Sequence, residues 1–282
     1  MKILVTGANG YLGLGICKKL LDDGHEVVAT DINVDKCDVR SKNIACDIFS
    51  VDDPFGFFGC PDVLLHLAWR DGFVHDSENH IIDLPEHHNF LLKFFKSDIK
   101  RIAVMGTMHE IGFYEGSIDE NTSCNPMNLY GIAKNALRSD VERMSKLYNK
   151  PFQWLRGFYI VANTIYGASV FSKMSKAAAE GKKNFPFTTG LNQYDFLDYE
   201  QFCKRTALTV EQNKILGIIN ICSGRPEKLA DRVEKFILEN KLNIKLQYGV
   251  YPDRAYDSKA VWGNSNKIDE ILCIRSVDNE SI

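Results

Sequence analysis

Short apolar runs alternate along this chain with stretches of helical periodicity. Ile3-Leu4-Val5, Val63-Leu64-Leu65 and Ile102-Ala103-Val104 have the length and composition of buried strands. The pattern predicts strands near residues 2–6, 26–30, 43–46, 63–67, 101–106 and 152–160. Between them it predicts helices near 12–23, 77–96 and 129–149, and a short helix within 47–58. In the first helix Leu14, Cys17 and Leu20-Leu21 share one face. Regular alternation of strand and helix argues for an α/β fold, a doubly wound parallel sheet with helices on both sides.

The alternation loosens after Tyr159. Helices are expected near 169–180, 198–211 and 227–239, a loop at 184–192, and a strand at 244–247. Gly217-Ile-Ile-Asn-Ile-Cys222 reads as a buried strand that returns to the main sheet. The division expected is a sheet domain from residues 1–162 and 188–224, with a small C-terminal substrate lobe from 163–187 and 225–282.

The turn after the first strand gives this fold a ligand. Thr6-Gly7-Ala8-Asn9-Gly10-Tyr11-Leu12-Gly13 joins strand to helix with glycines at dinucleotide-binding spacing. Gly7 permits the tight turn, Gly10 a close approach of backbone to pyrophosphate, and Gly13 close packing of helix on sheet. The helix N-terminus then offers unpaired N–H groups to the phosphates. Asp31, at the end of the second strand, suits a hydrogen bond from the adenine-ribose 2′-hydroxyl and repels a 2′-phosphate. NAD(H) is therefore favoured, with NADP(H) an open alternative. Thr107 falls just past the carboxyl end of the strand at 101–106, where open α/β sheets bind ligands. Tyr130 and Lys134, four residues apart, share one helix face. A lysine ammonium beside the phenol is expected to lower its pKa and make the tyrosine a general acid or base.

Bulk properties narrow the partners. With 282 residues, 45% hydrophobic and 25% charged, the chain is globular in composition. A net charge of −3 gives no attraction to nucleic acid or membrane surfaces, and no apolar stretch reaches bilayer length. A strand beginning at residue 2 leaves no room for a signal peptide, so a cytoplasmic protein is expected. The eight cysteines form no C-x-x-C pair, and neither they nor the histidines have metal-ligand spacing, so no metal is expected.

Taken together, the glycine turn, Asp31, Cys46-Asp47-Ile48, His66-Leu67-Ala68, Thr107, Tyr130-x-x-x-Lys134 and Asn220-Ile-Cys-Ser-Gly224 resemble the extended short-chain dehydrogenase/reductases, over essentially the whole chain. The resemblance implies a Rossmann sheet and a nucleotide-sugar substrate. It makes Tyr130 the catalytic acid/base, Lys134 the ribose-binding and tuning residue, and Thr107 the residue that orients the substrate oxygen. Gly7, Asn9, Gly10, Tyr11, Leu12 and Gly13 would hold the cofactor. By the same resemblance Asp47 and Ile48 lie near the adenine, Leu67, Ala68 and Trp69 line the cofactor channel, and Arg254 clamps the pyrophosphate. Members commonly dimerise through two helices. Here the helix at 129–149 offers Leu137, Val141, Met144 and Leu147, which core packing explains equally well.

The neighbours of Thr107 separate branches of this family. Sugar-nucleotide 4,6-dehydratases resemble each other in a Thr-Asp-Glu sequence here, whereas this chain has Met108 and His109. Methionine transfers no proton, so dehydration is disfavoured, as is the epimerase/reductase branch that resembles fucose synthase and places a cysteine base here. Simple hydride chemistry at a keto group or alcohol remains, in a reductase or a 4-epimerase. Gly106 through Gly112, Tyr130 through Arg138 and Tyr251-Pro-Asp-Arg-Ala-Tyr-Asp-Ser258 resemble the bacterial nucleotide-4-keto-6-deoxyhexose reductases. The expected reaction is reduction of a dTDP-4-keto-6-deoxyglucose to the D-fuco sugar. Met108 and His109 would sit at the substrate, where His109 either contacts the sugar or caps the loop. A 4-epimerase with tightly held NAD and a non-catalytic NAD(P)-binding sensor are the alternatives. Two departures concern the substrate lobe: Tyr194-Asp195-Phe196 lacks the family's arginine, and Tyr166-Gly167 is displaced and lacks the following proline.

Overall fold

The computed structural model describes residues 1–165, 167, 169–253 and 257–280, the last six as backbone only. Arg254 and Tyr166 lie outside the described residues. In chain order the first elements are β1 (Lys2–Thr6), α1 (Tyr11–Asp22), β2 (Glu26–Asp31), β3 (Lys42–Ala45), α2 (Pro54–Phe57) and β4 (Val63–His66). Next come α3 (Asn79–Ile82), α4 (Leu84–Phe95), β5 (Arg101–Thr107), β6 (Gly116–Ile118), α5 (Leu129–Tyr148), β7 (Phe152–Gly157) and β8 (Tyr159–Val161). The rest comprises α6 (Val170–Ala179), β9 (Asn184–Pro186), β10 (Gln193–Asp198), α7 (Tyr199–Glu211), β11 (Gly217–Ile221) and β12 (Pro226–Lys228), followed by α8 (Leu229–Glu239), β13 (Lys245–Gln247), β14 (Ala260–Gly263) and α9 (Asn266–Glu280).

Seven parallel strands form the main sheet in the order β11-β7-β5-β4-β1-β2-β3. Strand side chains alternate between two cores. Ile3, Val5, Val27, Ala29, Val63, Leu65 and Ala103 enter one; Leu4, Val28, Leu64, Ile102, Val104 and Trp154 enter the other. Both faces are thus covered, as the apolar runs require. The chain starts mid-sheet at β1, builds outward to β3, and returns past β1 to β4. The reversal lies between β1 and β4, and the crevice for a ligand opens at their carboxyl ends.

A second sheet runs β12-β10-β14-β6, and β8 pairs with the far end of β10. β10 was hidden between an expected loop and an expected helix. The strand expected at 152–160 is two strands, with Phe158 between β7 in one sheet and β8 in the other. The helix expected at 77–96 is broken at Asp83, because Pro85 lacks the N–H that a continuous helix needs there. The 184–192 loop contains β9, which pairs in parallel with β13.

Asp195 fastens the second sheet to the first. Its buried carboxylate accepts the N–H groups of Ser223 (2.6 Å), Gly224 (2.9 Å) and Gly263 (3.1 Å). It therefore links β10 to the turn after β11 and to β14. Asp195→Ala leaves three backbone donors without their acceptor and should cost about 3 kcal/mol of unfolding free energy in urea titrations. A loss below about 0.5 kcal/mol would contradict this role.

Candidate active site

At the carboxyl end of β1 the chain has no room for side chains. Gly7 has φ 69°, and a Cβ there would stand 2.7 Å from the Ala68 nitrogen. A Cβ on Gly13 would stand 2.3 Å from the Gly7 carbonyl and 2.6 Å from the Ala8 Cα. These two glycines hold β1, α1 and the turn after β4 together. Gly10 is the N-cap of α1 and supplies no side chain to its free N–H groups. This donor-rich, side-chain-free turn fits a pyrophosphate. Tyr11 and Leu12 open the helix. The Tyr199 hydroxyl donates to the Tyr11 carbonyl (2.5 Å) and accepts from the Gly15 N–H (3.1 Å), fixing α1 on α7.

Asp31 is drawn to the same turn, accepting the Asn9 N–H at 3.1 Å. The Asn9 side chain hydrogen-bonds Asn33 and accepts the Lys36 N–H at 2.9 Å. Asp47 caps a short 3-10 turn (Ile48–Ser50) through the Phe49 N–H, with Ile48 buried beneath it. Leu67 and Ala68 are partly buried against opposite cores, and Trp69 lies on the side of Ala68. The glycine cradle and the nearby carboxylate are the parts a dinucleotide requires, so these residues fit NAD.

Thr107 ends β5 and caps the 3-10 turn Met108–Glu110. Its hydroxyl accepts the His109 N–H at 3.3 Å and hydrogen-bonds the Tyr130 phenol. Asn128 caps α5 by accepting the Gly131 N–H at 2.8 Å, so Tyr130 and Lys134 sit in its first two turns. Close docking of α5 is possible because Gly131 has no Cβ, which would fall 2.4 Å from the His109 carbonyl. Lys134 is buried, donating to the Met105 carbonyl (2.9 Å) with its ammonium 3.7 Å from the Trp69 ring centre. Thr107, Tyr130 and Lys134 therefore meet beside the glycine cradle. Met108 does not join them; it is buried in the core that also holds Ile111 and Ile118.

Five histidines cluster around this set, a grouping that no spacing in the sequence revealed. His75 stacks on Tyr130 (5.6 Å, 12°) and lies 4.4 Å from His109. His80 accepts the Trp69 indole N–H at 3.0 Å, and His87 stacks on Trp69 at 4.5 Å. His87 also hydrogen-bonds buried His66 (2.9 Å), which reaches Thr6 (2.8 Å). Burial pushes the pKa of His109 down to about 4 and of His87 to about 3, so both are neutral imidazoles near pH 7. Among the described residues no group of three or more His, Cys, Asp or Glu is arranged to hold a metal ion, and no helix is long and apolar enough to cross a membrane. On α5, Leu137, Val141 and Met144 are buried in the core, and Leu147 is exposed.

The expected effect of Lys134 on Tyr130 is corrected. Burial raises the phenol pKa well above 10, outweighing the Thr107 hydrogen bond, and nearby Glu110 raises it further. Burial lowers Lys134 to about 7, opposed by the Glu110 charge. The phenol is thus held protonated, poised to give a proton.

Lys134 has a consequence for stability. Between about pH 7 and 10 the unfolded chain keeps a proton that the folded Lys134 has lost. Cofactor-free protein therefore gains stability as pH rises through that window, by at most about 1.4 kcal/mol per pH unit from this group. Urea melts of Lys134→Met should show a flatter slope than the parent from pH 7 to 9; equal slopes would contradict the burial effect.

Residues 3–222 match the NAD dependent epimerase/dehydratase family. The dTDP-6-deoxy-L-talose 4-dehydrogenase (NAD(+)) of Aggregatibacter actinomycetemcomitans is 41% identical over 276 residues, covering 93% of this chain and 99% of that protein. Among solved structures, the UDP-glucuronic acid 4-epimerase of Bacillus cereus with UDP-glucuronic acid and NAD has a TM-score of 0.81 at 21% identity, covering 97% of this chain and 93% of that one. The UDP-N-acetylglucosamine 4-epimerase of Methanobrevibacter ruminantium M1 has a TM-score of 0.80 at 19% identity, with 96% and 91% covered. The chain is a member of the NAD dependent epimerase/dehydratase family, a nucleotide-sugar enzyme on a Rossmann-type α/β sheet.

Proposed function

We propose that this protein is an NAD-dependent oxidoreductase acting at C4 of a dTDP-activated 6-deoxyhexose, interconverting its C4 alcohol and 4-ketone. The observation that supports this most is the meeting of Thr107, Tyr130 and Lys134 beside the glycine cradle, with the phenol protonated. NAD(H), when bound, supplies or takes up the hydride at C4. In reduction, Tyr130 protonates the developing C4 alkoxide, and the Thr107 hydroxyl holds the same oxygen. In oxidation, the Tyr130 phenolate takes the alcohol proton, a direction that higher pH favours. Lys134 has further N–H groups for the nicotinamide ribose, and Asp31 a carboxylate for the adenine-ribose hydroxyl. His109 reaches the sugar as a neutral imidazole, and Arg254 holds the pyrophosphate.

The sugar follows from the related 4-dehydrogenase, whose substrate is of the 6-deoxy-L-talo series. This favours that series over the D-fuco product, with the same change at the same carbon. A cavity of about 300 Å³ lies beside Arg205 and Arg225, and a larger one of about 600 Å³ between α6 and β9. The larger suits a nucleotide in size. There Lys173 and Lys176 offer charge to phosphates, and Phe185 and Tyr251 offer rings to a base.

With dTDP-6-deoxy-L-talose and NAD+, absorbance at the NADH band should rise in step with a 4-keto product seen by NMR. Epimerisation with no net NADH would replace this reading by the 4-epimerase. Tyr130→Phe should lower kcat by at least about 100-fold with NADH affinity preserved; parental turnover would remove Tyr130 as the acid. Asp31→Ala should narrow the kcat/KM preference for NADH over NADPH, and an unchanged ratio would mean that Asp31 does not read the ribose.

A further inference from the structure

Among the described residues two carboxylates are buried, Asp195 in the second sheet and Glu110 beside Thr107. Glu110 has no part in the proton and hydride steps above. Its Oε1 accepts the Thr107 N–H (2.7 Å) and the Trp154 indole N–H (2.9 Å). Its Oε2 faces the Arg156 guanidinium at 3.4 Å and that of Arg138 at 4.0 Å. Burial pushes the Glu110 carboxyl up, and the Arg156 guanidinium, the Thr107 N–H, the Trp154 indole and Arg138 oppose it. Two guanidiniums and two N–H donors on one carboxyl, with no acceptor among them, favour the ionised form. Room has been kept for it: a Cβ on Gly106 would stand 2.6 Å from Oε1 and 2.1 Å from the Trp154 Nε1.

Glu110 thereby fixes the peptide of the residue whose hydroxyl touches Tyr130. The same turn packs on α5, where Lys134 and Arg138 lie one helical turn apart. Lys134 is within electrostatic reach of Glu110 from this turn, neutral His66 from β4 and neutral His87 from α4. Of these groups only Glu110 offers it a negative charge near pH 7. We infer that Glu110 is a positioning residue of this site, holding Thr107 against Tyr130 and supplying the buried negative charge that Lys134 faces. The inference rests on the reading of Thr107, Tyr130 and Lys134 as the reacting set.

Glu110→Gln keeps an oxygen for the Thr107 and Trp154 donors and removes the charge. NADH affinity in the parent should fall as pH rises and Lys134 loses its proton; in Glu110→Gln that fall should move about one pH unit lower. The alkaline limb of kcat should move with it, with KM near the parental value. Glu110→Asp keeps the charge on a shorter arm. Its limb should stay at the parental pH while kcat drops about tenfold, because the Thr107 N–H is released. Glu110→Asp decides the matter if Glu110→Gln does not fold. A folded Glu110→Gln with an unmoved limb, a Glu110→Asp with parental kcat, or a parent without the alkaline fall in NADH affinity would overturn the inference. NADH titration needs no sugar, so a failure of the sugar assignment alone leaves it readable.

Discussion

The reversal of the chain between β1 and β4 is the constraint on which this molecule depends. Because β2 and β3 build one way and β4, β5, β7 and β11 the other, the loops leaving β1 and β4 diverge and open a crevice. They meet at one point, where Gly7 lies so close to Ala68 that a single methyl group would collide. That contact sets the distance between the glycine turn and the start of the segment that carries Trp69. The next strand out, β5, delivers Thr107 to the same edge. α5 then crosses against the turn after β5 with Gly131 in contact with the His109 backbone, bringing Tyr130 and Lys134 into place.

Burial at that edge does more than exclude solvent. It keeps the Tyr130 phenol protonated, brings Lys134 to about 7, and holds His109 and His87 neutral. A site containing several nitrogen bases is thereby left with few formal charges. Glu110, matched by Arg156 and Arg138, is the charge that remains, and the lysine under Trp69 titrates at about pH 7. Hydride transfer to a carbonyl creates an alkoxide, so an acid that stays protonated until that charge forms suits the reduction direction.

Much of this was legible in the sequence where the signal is local. The glycine turn sits between a short apolar strand and an amphipathic helix, and Tyr130 and Lys134 are fixed on one face by helical geometry alone. β10 and β14 were not legible, because each pairs with strands distant in sequence. Phe158 gives no sign that it ends one strand before a change of sheet. The direction of the Tyr130 shift was missed because it depends on burial by Trp69, His75 and His109, which lie 61, 55 and 21 residues away. Glu110 was missed because a glutamate after a histidine reads as an exposed turn. The hint was its place three residues after Thr107, the spacing of a capping box. Asp195 was seen only as part of a motif short of its arginine, while its own work is to bind three backbone N–H groups.

The central claim is that the crevice beside Thr107 and Tyr130 performs redox chemistry at C4. Its most direct test is to reduce the dTDP-4-keto-6-deoxyhexose with NADH carrying deuterium at the transferable position, and to locate the label by NMR. The account predicts deuterium on C4 of the product sugar, one for each NADH consumed. Deuterium at another carbon, or a product without label, would contradict it.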